Sequence, residues 1–339
     1  MKSNYVKFLG ILFVVLIPLF LVACGEEEST TSEDSEVESE DAGGTESEDT
    51  EGEDSEGYVF GYTSMTQNNP FFQVIEETMR EEIEANGDEL ITTNPAMDVS
   101  LQISQIEDMI AQDIDAIFLN PVDWEGIRPA LEQLDEAGIP IINYDTEVKA
   151  FEYVTAYVGS DNKNAGKVAG QDLVERFPDG GKIAVLDSPT MNSINDRIEG
   201  FMEAIDGKGF EIVAQQDAQG DLETALGIAE DIFTTNPDID AVMAGNDPSA
   251  LGALAAAKAN NVTDVAIYGV DGSPDAKAEI AKGEQFVGSG AQSPMSIATQ
   301  SVETAYQLLN GEEVPERIPV DTFLINEENV EEYGTDGWQ

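Results

Sequence analysis

The sequence predicts an α/β protein of two similar lobes, each a parallel sheet covered on both faces by helices. Three observations carry this. From Tyr58 onward, strand-like apolar runs alternate with stretches of helical periodicity. The alternation completes one series of strands and then restarts, and repeated strand-helix-strand units give parallel sheets, so two series give two lobes. The length agrees, since 339 residues suffice for two domains with extra segments.

The start of the chain stands outside that pattern. Lys2 and Lys7 precede or open an apolar run from Phe8 to Val22, interrupted by Gly10 and Pro18. The run is short for a bilayer span, and its charged start is that of an export signal covering residues 1–23. It ends Leu21-Val22-Ala23-Cys24, which resembles the lipobox of bacterial lipoproteins. That resemblance implies cleavage before Cys24 and a lipid on its sulfur. The protein would then be extracytoplasmic and held to the outer face of the cell membrane. An uncleaved anchor helix is the alternative. Cys24 is the only cysteine, so an intrachain disulfide is excluded.

Residues 24–57 read as an acidic tether, with about sixteen acids and no base. Such a segment cannot bury enough surface to order itself, and its charge keeps it extended. The formal charge of the chain is −54, and about −40 remains once tether and signal are set aside. A field of that sign excludes nucleic acid and bare anionic membrane as partners, leaving the lipid as the sole membrane contact. It also disfavours anionic ligands. An acidic, lysine-poor surface suits work in high salt, a reading that stability unchanged between low and molar NaCl would count against.

The first strand is 58–63. Thr66-Gln67-Asn68-Asn69-Pro70-Phe71-Phe72 joins it to a helix near 71–86. Asn69 takes a capping position and Pro70 the first turn, where no N–H is needed. Strands at 89–93, 114–119, 139–143 and 154–158 alternate with helices near 98–111 and 125–137; Gly87 and Gly138 fit helix C-caps. The second series has strands at 182–186, 210–214, 239–243 and 265–269, with helices near 161–176, 193–206, 221–235, 248–260 and 274–282. A strand at 285–289, a helix at 295–309 and a strand at 317–324 close the pattern, and this late helix suggests that the chain crosses back. Gly288-Ser289-Gly290 lacks the spacing of a phosphate loop and reads as a turn or hinge. Residues 326–339 read as polar and peripheral.

Several strand ends carry short motifs. They are Asn68-Asn69-Pro70-Phe71-Phe72, Asn120-Pro121-Val122-Asp123, Pro140-Ile141-Ile142-Asn143-Tyr144-Asp145 and Ser160-Asp161-Asn162. Further on stand Asp196-Arg197-Ile198-Glu199-Gly200-Phe201, Ala244-Gly245-Asn246-Asp247 with Ala250-Leu251-Gly252, Gly269-Val270-Asp271-Gly272, and Ala291-Gln292. In this order they resemble the ribose-type (type I) periplasmic sugar-binding proteins of bacterial ABC importers, over essentially the whole mature domain. The resemblance implies two Rossmann-like lobes joined by a three-crossover hinge near 159–161, 290–293 and 320–322, with a ligand cleft between them. It divides the chain into a lobe of residues 58–160 plus 293–321 and a lobe of residues 161–292 plus 322–339.

The implied ligand-binding residues are Asn69, Phe71, Phe72, Asp145, Arg197, Asn246, Asp271 and Gln292. Their chemistry suits a sugar: Asp145 and Asp271 accept from hydroxyls, Arg197 donates through a planar fork, and the amides do both. Phe71 and Phe72 offer an apolar wall to the C–H face of a ring. All but Gln292 also have a plain alternative: Phe71 and Phe72 as core, Asn69, Asp145 and Asp271 as helix caps, Arg197 as a surface ion-pair partner, and Asn246 as a turn former.

The chain departs from ribose binders by carrying Thr146 where they have an arginine, and Gly220 and Val270 where they have aromatics. Trp124, Tyr144, Tyr62 or Met191 could fill the space, Thr146 is a further candidate contact, and Trp124 reads equally as a surface residue. These changes open the ligand class to another pentose, a hexose, a polyol or a cyclitol. The resulting reading is a monomeric lipoprotein that captures such a ligand and delivers it to an ABC permease, with no cofactor or metal and no enzyme activity. A sensor for a furanone-type or other signalling molecule is the first rival. A carboxylate-dependent glycosidase is the second; the absence of histidine, with the sole cysteine in the lipobox, removes His-based triads and thiol nucleophiles. A sugar-responsive repressor is disfavoured by the export signal and by the lack of a DNA-reading helix pair.

Overall fold

The computed structural model of this protein describes residues 57–339. The export signal, Cys24 and all but the end of the tether therefore lie outside the described residues. In chain order the first series is β1 (Val59–Thr63), α1 (Pro70–Ala85), β2 (Glu89–Thr93), α2 (Val99–Ile110), β3 (Ala116–Leu119), α3 (Arg128–Ala137), β4 (Ile141–Tyr144) and β5 (Ala156–Ser160). The second is α4 (Asn162–Arg176), β6 (Gly181–Asp187), α5 (Asn192–Ile205), β7 (Phe210–Asp217), α6 (Leu222–Thr235), β8 (Ala241–Ala244), α7 (Asp247–Ala259), β9 (Ala266–Asp271), α8 (Pro274–Ile280) and β10 (Phe286–Ala291). Then come α9 (Pro294–Leu309), β11 (Arg317–Val320), β12 (Phe323–Asn326) and the short α10 (Val330–Tyr333).

Two six-stranded sheets result, ordered β11-β5-β4-β3-β1-β2 and β12-β10-β9-β8-β6-β7. The first is parallel throughout, and the second is parallel except for β12, which runs against β10. Strands covered on both faces should be apolar along their length rather than alternating. Strands β3, β4 and β9 show this, being buried at every position. Helix α1 buries Phe71, Phe72, Ile75, Met79 and Ile83, the stripe of a helix with one face on a sheet. The lobes are thus the α/β pair expected from the alternation.

The chain passes between the sheets three times, after β5, after β10 and after β11. Helix α9 packs on α1 and thereby returns to the first lobe. The apolar run expected as one strand at 317–324 is two strands in different sheets, separated by Asp321 and Thr322. Gly288-Ser289-Gly290 is neither turn nor hinge but the middle of β10. A Cβ on Gly290 would lie 2.6 Å from the Ala165 carbonyl, so α4 can lie against this strand only because the residue is glycine. Helix α3 starts later than expected because the Asp123 side chain holds the Glu125 and Gly126 N–H groups, at 2.9 and 2.8 Å, in a separate turn.

The closest helix contact positions the site. A Cβ on Gly166 of α4 would sit 1.7 Å from the Arg197 carbonyl of α5, and one on Gly200 would sit 1.9 Å from the Lys163 carbonyl. Reciprocal glycines let the two backbones touch and fix where α5 presents Arg197. Among the described residues, no helix is long and apolar enough to cross a membrane.

Candidate functional site

Loops from the carboxyl ends of both sheets converge on one cavity of about 580 Å³, where open α/β sheets place ligands. Asn69, Phe71, Phe72, Asp145, Arg197, Asn246, Asp271 and Gln292 all line it, as does Met191. The lobes touch around it. Thr146 Oγ1 lies 2.8 Å from Ser193 Oγ, the Trp124 N–H donates to the Thr190 carbonyl at 3.1 Å, and Asp145 Oδ1 lies 3.8 Å from Arg197 Nη2.

Arg197 is the centre. Its Nε donates to Asn162 Oδ1 at 2.8 Å and its Nη1 to the Gly245 carbonyl at 2.9 Å, while Nη1 lies 3.5 Å from Asp271 Oδ1. The guanidinium is buried, so the surface-ion-pair alternative fails. Asp271 ends β9 and accepts from Gln292 Nε2 at 2.8 Å and from the Asp247 N–H at 3.3 Å. Asp145 follows β4 and accepts on Oδ2 from Asn120 Nδ2 at 3.0 Å and Thr146 Oγ1 at 3.3 Å. Neither aspartate caps a helix.

Both aspartates hold backbone conformations that L residues rarely adopt, with φ of 58° at Asp145 and 143° at Asp271. The Tyr157 hydroxyl holds the Asp145 carbonyl at 2.7 Å, and the Gln292 N–H holds the Asp271 carbonyl at 2.9 Å. Burial pushes the Asp145 carboxyl above its ordinary range against the pull of Arg197. Burial pushes Asp271 well above that range, with the neighbouring Asp247 adding to the rise. Asp145 Oδ1 and Gln292 Oε1, both buried at the cavity, make no hydrogen bond within the protein. Buried polar groups are normally hydrogen-bonded, and acceptors at a cavity wall can take that bond from a ligand hydroxyl.

The amide residues are split between structure and cavity. Asn69 caps α1, its Oδ1 accepting from the Phe71 N–H at 3.0 Å. Asn246 caps α7 through the Ser249 N–H at 3.0 Å and donates to the Gly220 carbonyl at 2.9 Å. Both therefore satisfy their plain reading while still facing the cavity. Phe71 and Phe72 do likewise: they are core residues of α1, packed edge-to-face with centroids 5.5 Å apart, and they line the cavity wall.

The remaining aromatic candidates lie elsewhere. Tyr62 and Tyr144 are fully buried and stacked on each other at 5.6 Å. Their hydroxyls are used by the Phe72 and Thr63 carbonyls, so both are interior struts. Trp124 is half-buried outside the cavity, under the Lys149 ammonium at 5.4 Å. Thr146 is buried and bonded to Ser193 rather than lining the space. Beside Gly220, the Met191 sulfur would lie 3.4 Å from a Cβ, so methionine borders the position where an aromatic was missed.

The residues that sequence reasoning overlooked are partly supports and partly wall. Asn120 positions Asp145 and Asn162 positions Arg197; both sat within quoted motifs, and their burial is the signal that was absent. Gln102 fixes the Asn120 loop through the Asn120 carbonyl at 2.8 Å and the Val122 N–H at 2.8 Å. Trp338 was missed outright. The segment read as peripheral brings its indole to the cavity, edge-on to Phe71 with centroids 5.8 Å apart. Among the lining residues Arg197 is the only cation, facing Asp145 and Asp271 with Asp221 and Asp275 farther round. Among the described residues, no three carboxylates or sulfur or imidazole groups come together to hold a metal.

Residues 60–313 match the family model described as periplasmic binding protein domain. The ribose import binding protein of Escherichia coli is 31% identical over 261 residues, covering 77% of this chain and 88% of that protein. An ABC transporter solute-binding protein from Mycobacterium smegmatis, solved with bound glycerol, superposes with a TM-score of 0.79 at 31% identity, covering 83% of this chain and 99% of that one. One from Bacillus halodurans, solved with myo-inositol, gives 0.77 at 31% identity, covering 83% and 98%. The cleft between two parallel-sheet lobes, the match to the family model and the extent of these likenesses agree, and the chain belongs to the periplasmic binding protein domain family.

Proposed function

We propose that this protein captures a neutral polyhydroxylated ring, a sugar or cyclitol, between its lobes and passes it to the permease of an ABC importer. The observation that carries the reading is the buried Arg197-Asp145-Asp271 group, lining one cavity with Gln292 and two phenylalanine rings. Hydroxyls donate to the carboxylates and the amide oxygen, Arg197 donates back, and a C–H face packs on Phe71 and Phe72. Asn69, Asn246 and Met191 complete the wall. The same chemistry argues against anionic ligands, since one cation faces several carboxylates. The Escherichia coli relative is a ribose import binding protein, and the two solved neighbours hold glycerol and myo-inositol, which supports the class of ligand rather than its identity.

Each lobe supplies part of the wall, so ligand binds the closed form better and draws the lobes together about the three crossovers. The hinge would then divide residues 58–160 plus 293–321 from 161–292 plus 322–339. A lipid on Cys24, followed by the acidic segment, would hold a monomer at the membrane within reach of the permease. Hydrogen bonding accounts for both cleft carboxylates without turnover. Thermal unfolding against a panel of pentoses, hexoses, polyols and inositols tests the reading. At about a hundred times its Kd a ligand adds roughly 2.7 kcal/mol of stability. A shift with one sugar class that vanishes in Asp145→Ala is expected; a folded protein unmoved by every compound, or an Asp145→Ala variant that binds normally, would refute it.

A further inference from the structure

The segment after α10 lies beyond the residues matched by the family model, yet it supplies part of the cavity wall. We propose that Trp338 is a ligand-selecting wall of the cleft, pinned to the second lobe and meeting the first lobe's Phe71 when the lobes are together. This rests on the ligand-capture reading above and names a residue that sets which rings it accepts.

The pinning is specific. The Lys277 ammonium, fully buried on α8, donates to the Gly337 carbonyl at 2.6 Å and to Gln339 Oε1 at 3.3 Å. Gln339 Nε2 donates to the Asp271 carbonyl at 3.0 Å and also to the Gln292 carbonyl. These are the backbones of two cavity residues, and Gln292 adjoins the crossover from β10 to α9. Gly272, at φ of 71°, leaves room for this approach, because a Cβ there would lie 2.5 Å from Gln339 Nε2. The residues on both sides of Trp338 are therefore tied to the second lobe, and the indole is held half-buried against Phe71 of the first.

Trp338 is the one aromatic ring that the second lobe brings to the cavity wall. Gly220 and Val270 leave its strand-end loops without an aromatic ring, Val270 being sealed in the core. Trp338 and Phe71 meet edge-to-face, forming an apolar corner rather than a parallel slot. A corner accepts a ring with a continuous C–H face beside its hydroxyls, as in a pyranose or a cyclitol. An open-chain polyol gains less there, since it must lose conformational freedom to present the same face. The residue is thus predicted to discriminate closed six-membered rings from linear polyols.

The chain holds two tryptophans, so Trp124→Phe leaves Trp338 as the sole indole reporter. In that background, titration with the pentoses, hexoses, inositols and linear polyols of the panel is followed by fluorescence and calorimetry. We expect the sugar or inositol that binds to change Trp338 emission, Trp338→Ala to weaken it by about tenfold or more, and Trp338→Phe to retain most of the affinity. The preference for rings over linear polyols should narrow in Trp338→Ala, at an unfolding midpoint near that of the parent. Unmoved emission with unchanged affinity in Trp338→Ala overturns the proposal while leaving ligand capture standing. Tighter binding in Trp338→Ala overturns it too, making the segment an obstruction. A parent protein that binds no compound overturns the capture reading, and this inference with it.

Discussion

Replacing Arg197 with methionine would strand buried carboxylates. The guanidinium lies 3.5 Å from Asp271 Oδ1 and 3.8 Å from Asp145 Oδ1, and it satisfies Asn162 Oδ1 and the Gly245 carbonyl. Methionine fills similar space but supplies no charge and no donor. Removing one partner of a buried ion pair costs about 3–5 kcal/mol, because the remaining charge loses its compensation. Against a typical stability of about 5–15 kcal/mol that is a large fraction. Asp271, Asn162 and Gly245 all belong to the second lobe, so much of the loss should persist even if the lobes separate. The pH dependence is the sharper test. Burial already raises both carboxyl pKa values, and loss of Arg197 raises them further. A carboxyl raised above its unfolded value favours the folded state below that value and loses the benefit as pH rises through the folded one. The deficit of Arg197→Met should therefore be largest at neutral pH and shrink on acidification. Urea unfolding of both proteins at about pH 7.5 and pH 5, at fixed salt, measures it. A deficit below about 1 kcal/mol, or one equal at the two pH values, would mean that the carboxylates are not the charges Arg197 compensates.

Two further substitutions test neighbouring parts of the same structure. Asp196, partly buried one residue before Arg197, has its carboxyl pushed up to about 6, first by burial and then by Glu199 and Glu147. Asp196→Asn should therefore stabilise the protein at neutral pH, and the gain should fade as pH drops through about 6 and the native carboxyl becomes neutral; a gain that persists at low pH, followed by chemical unfolding, would contradict the assignment. Gly166→Ala should force α4 from α5, since its Cβ would sit 1.7 Å from the Arg197 carbonyl. The expected cost is at least the 1–3 kcal/mol or so of an overpacked core, with weakened ligand binding as Arg197 shifts. Gly227→Ala on α6, where a Cβ meets nothing within 4 Å, is the control and should stabilise by about 0.4–1 kcal/mol.

What the sequence made legible was local. The alternation of strands and helices depends on neighbours a few residues apart, and so do the cap at Asn69 and the glycine ends of helices. In a parallel sheet every strand end points the same way, so a polar motif after a strand is placed near the cleft by topology alone. Asp145, Asn246, Asp271 and Gln292, named through the motifs of the family resemblance, all stand at strand ends in this way. Arg197 comes from a helix and was reached only through its motif. Its placement depends on the Gly166 and Gly200 contact, which joins residues far apart in sequence. Tyr144 and Trp124 show the opposite failure. Each stands beside a cleft motif, yet a side chain one residue from a strand end can face the core or the rim. The stack on Tyr62 and the contact with Thr190 decided these two.

Trp338 marks where local reading ends. Nothing in Gly334-Thr335-Asp336-Gly337-Trp338-Gln339 has periodicity, and a polar stretch with one aromatic is ordinarily a surface segment. Its position is set by Lys277, Gly272 and the carbonyls of Asp271 and Gln292, none of which announces a partner in its own neighbourhood. One clue was available in the sequence. A cleft built to hold a ring, but lacking aromatics at Gly220 and Val270, has an apolar surface unaccounted for, and the chain has only two tryptophans with which to supply it. Of the residues the sequence offers for that wall, Trp124, Tyr144, Tyr62 or Met191, Met191 alone lines the cavity, and it is no aromatic. A side chain far from the motifs in sequence can supply the missing ring where a buried donor holds its backbone there. Lys277 is such a donor. A fully buried ammonium must find acceptors, and here it finds them in the residues on either side of the indole.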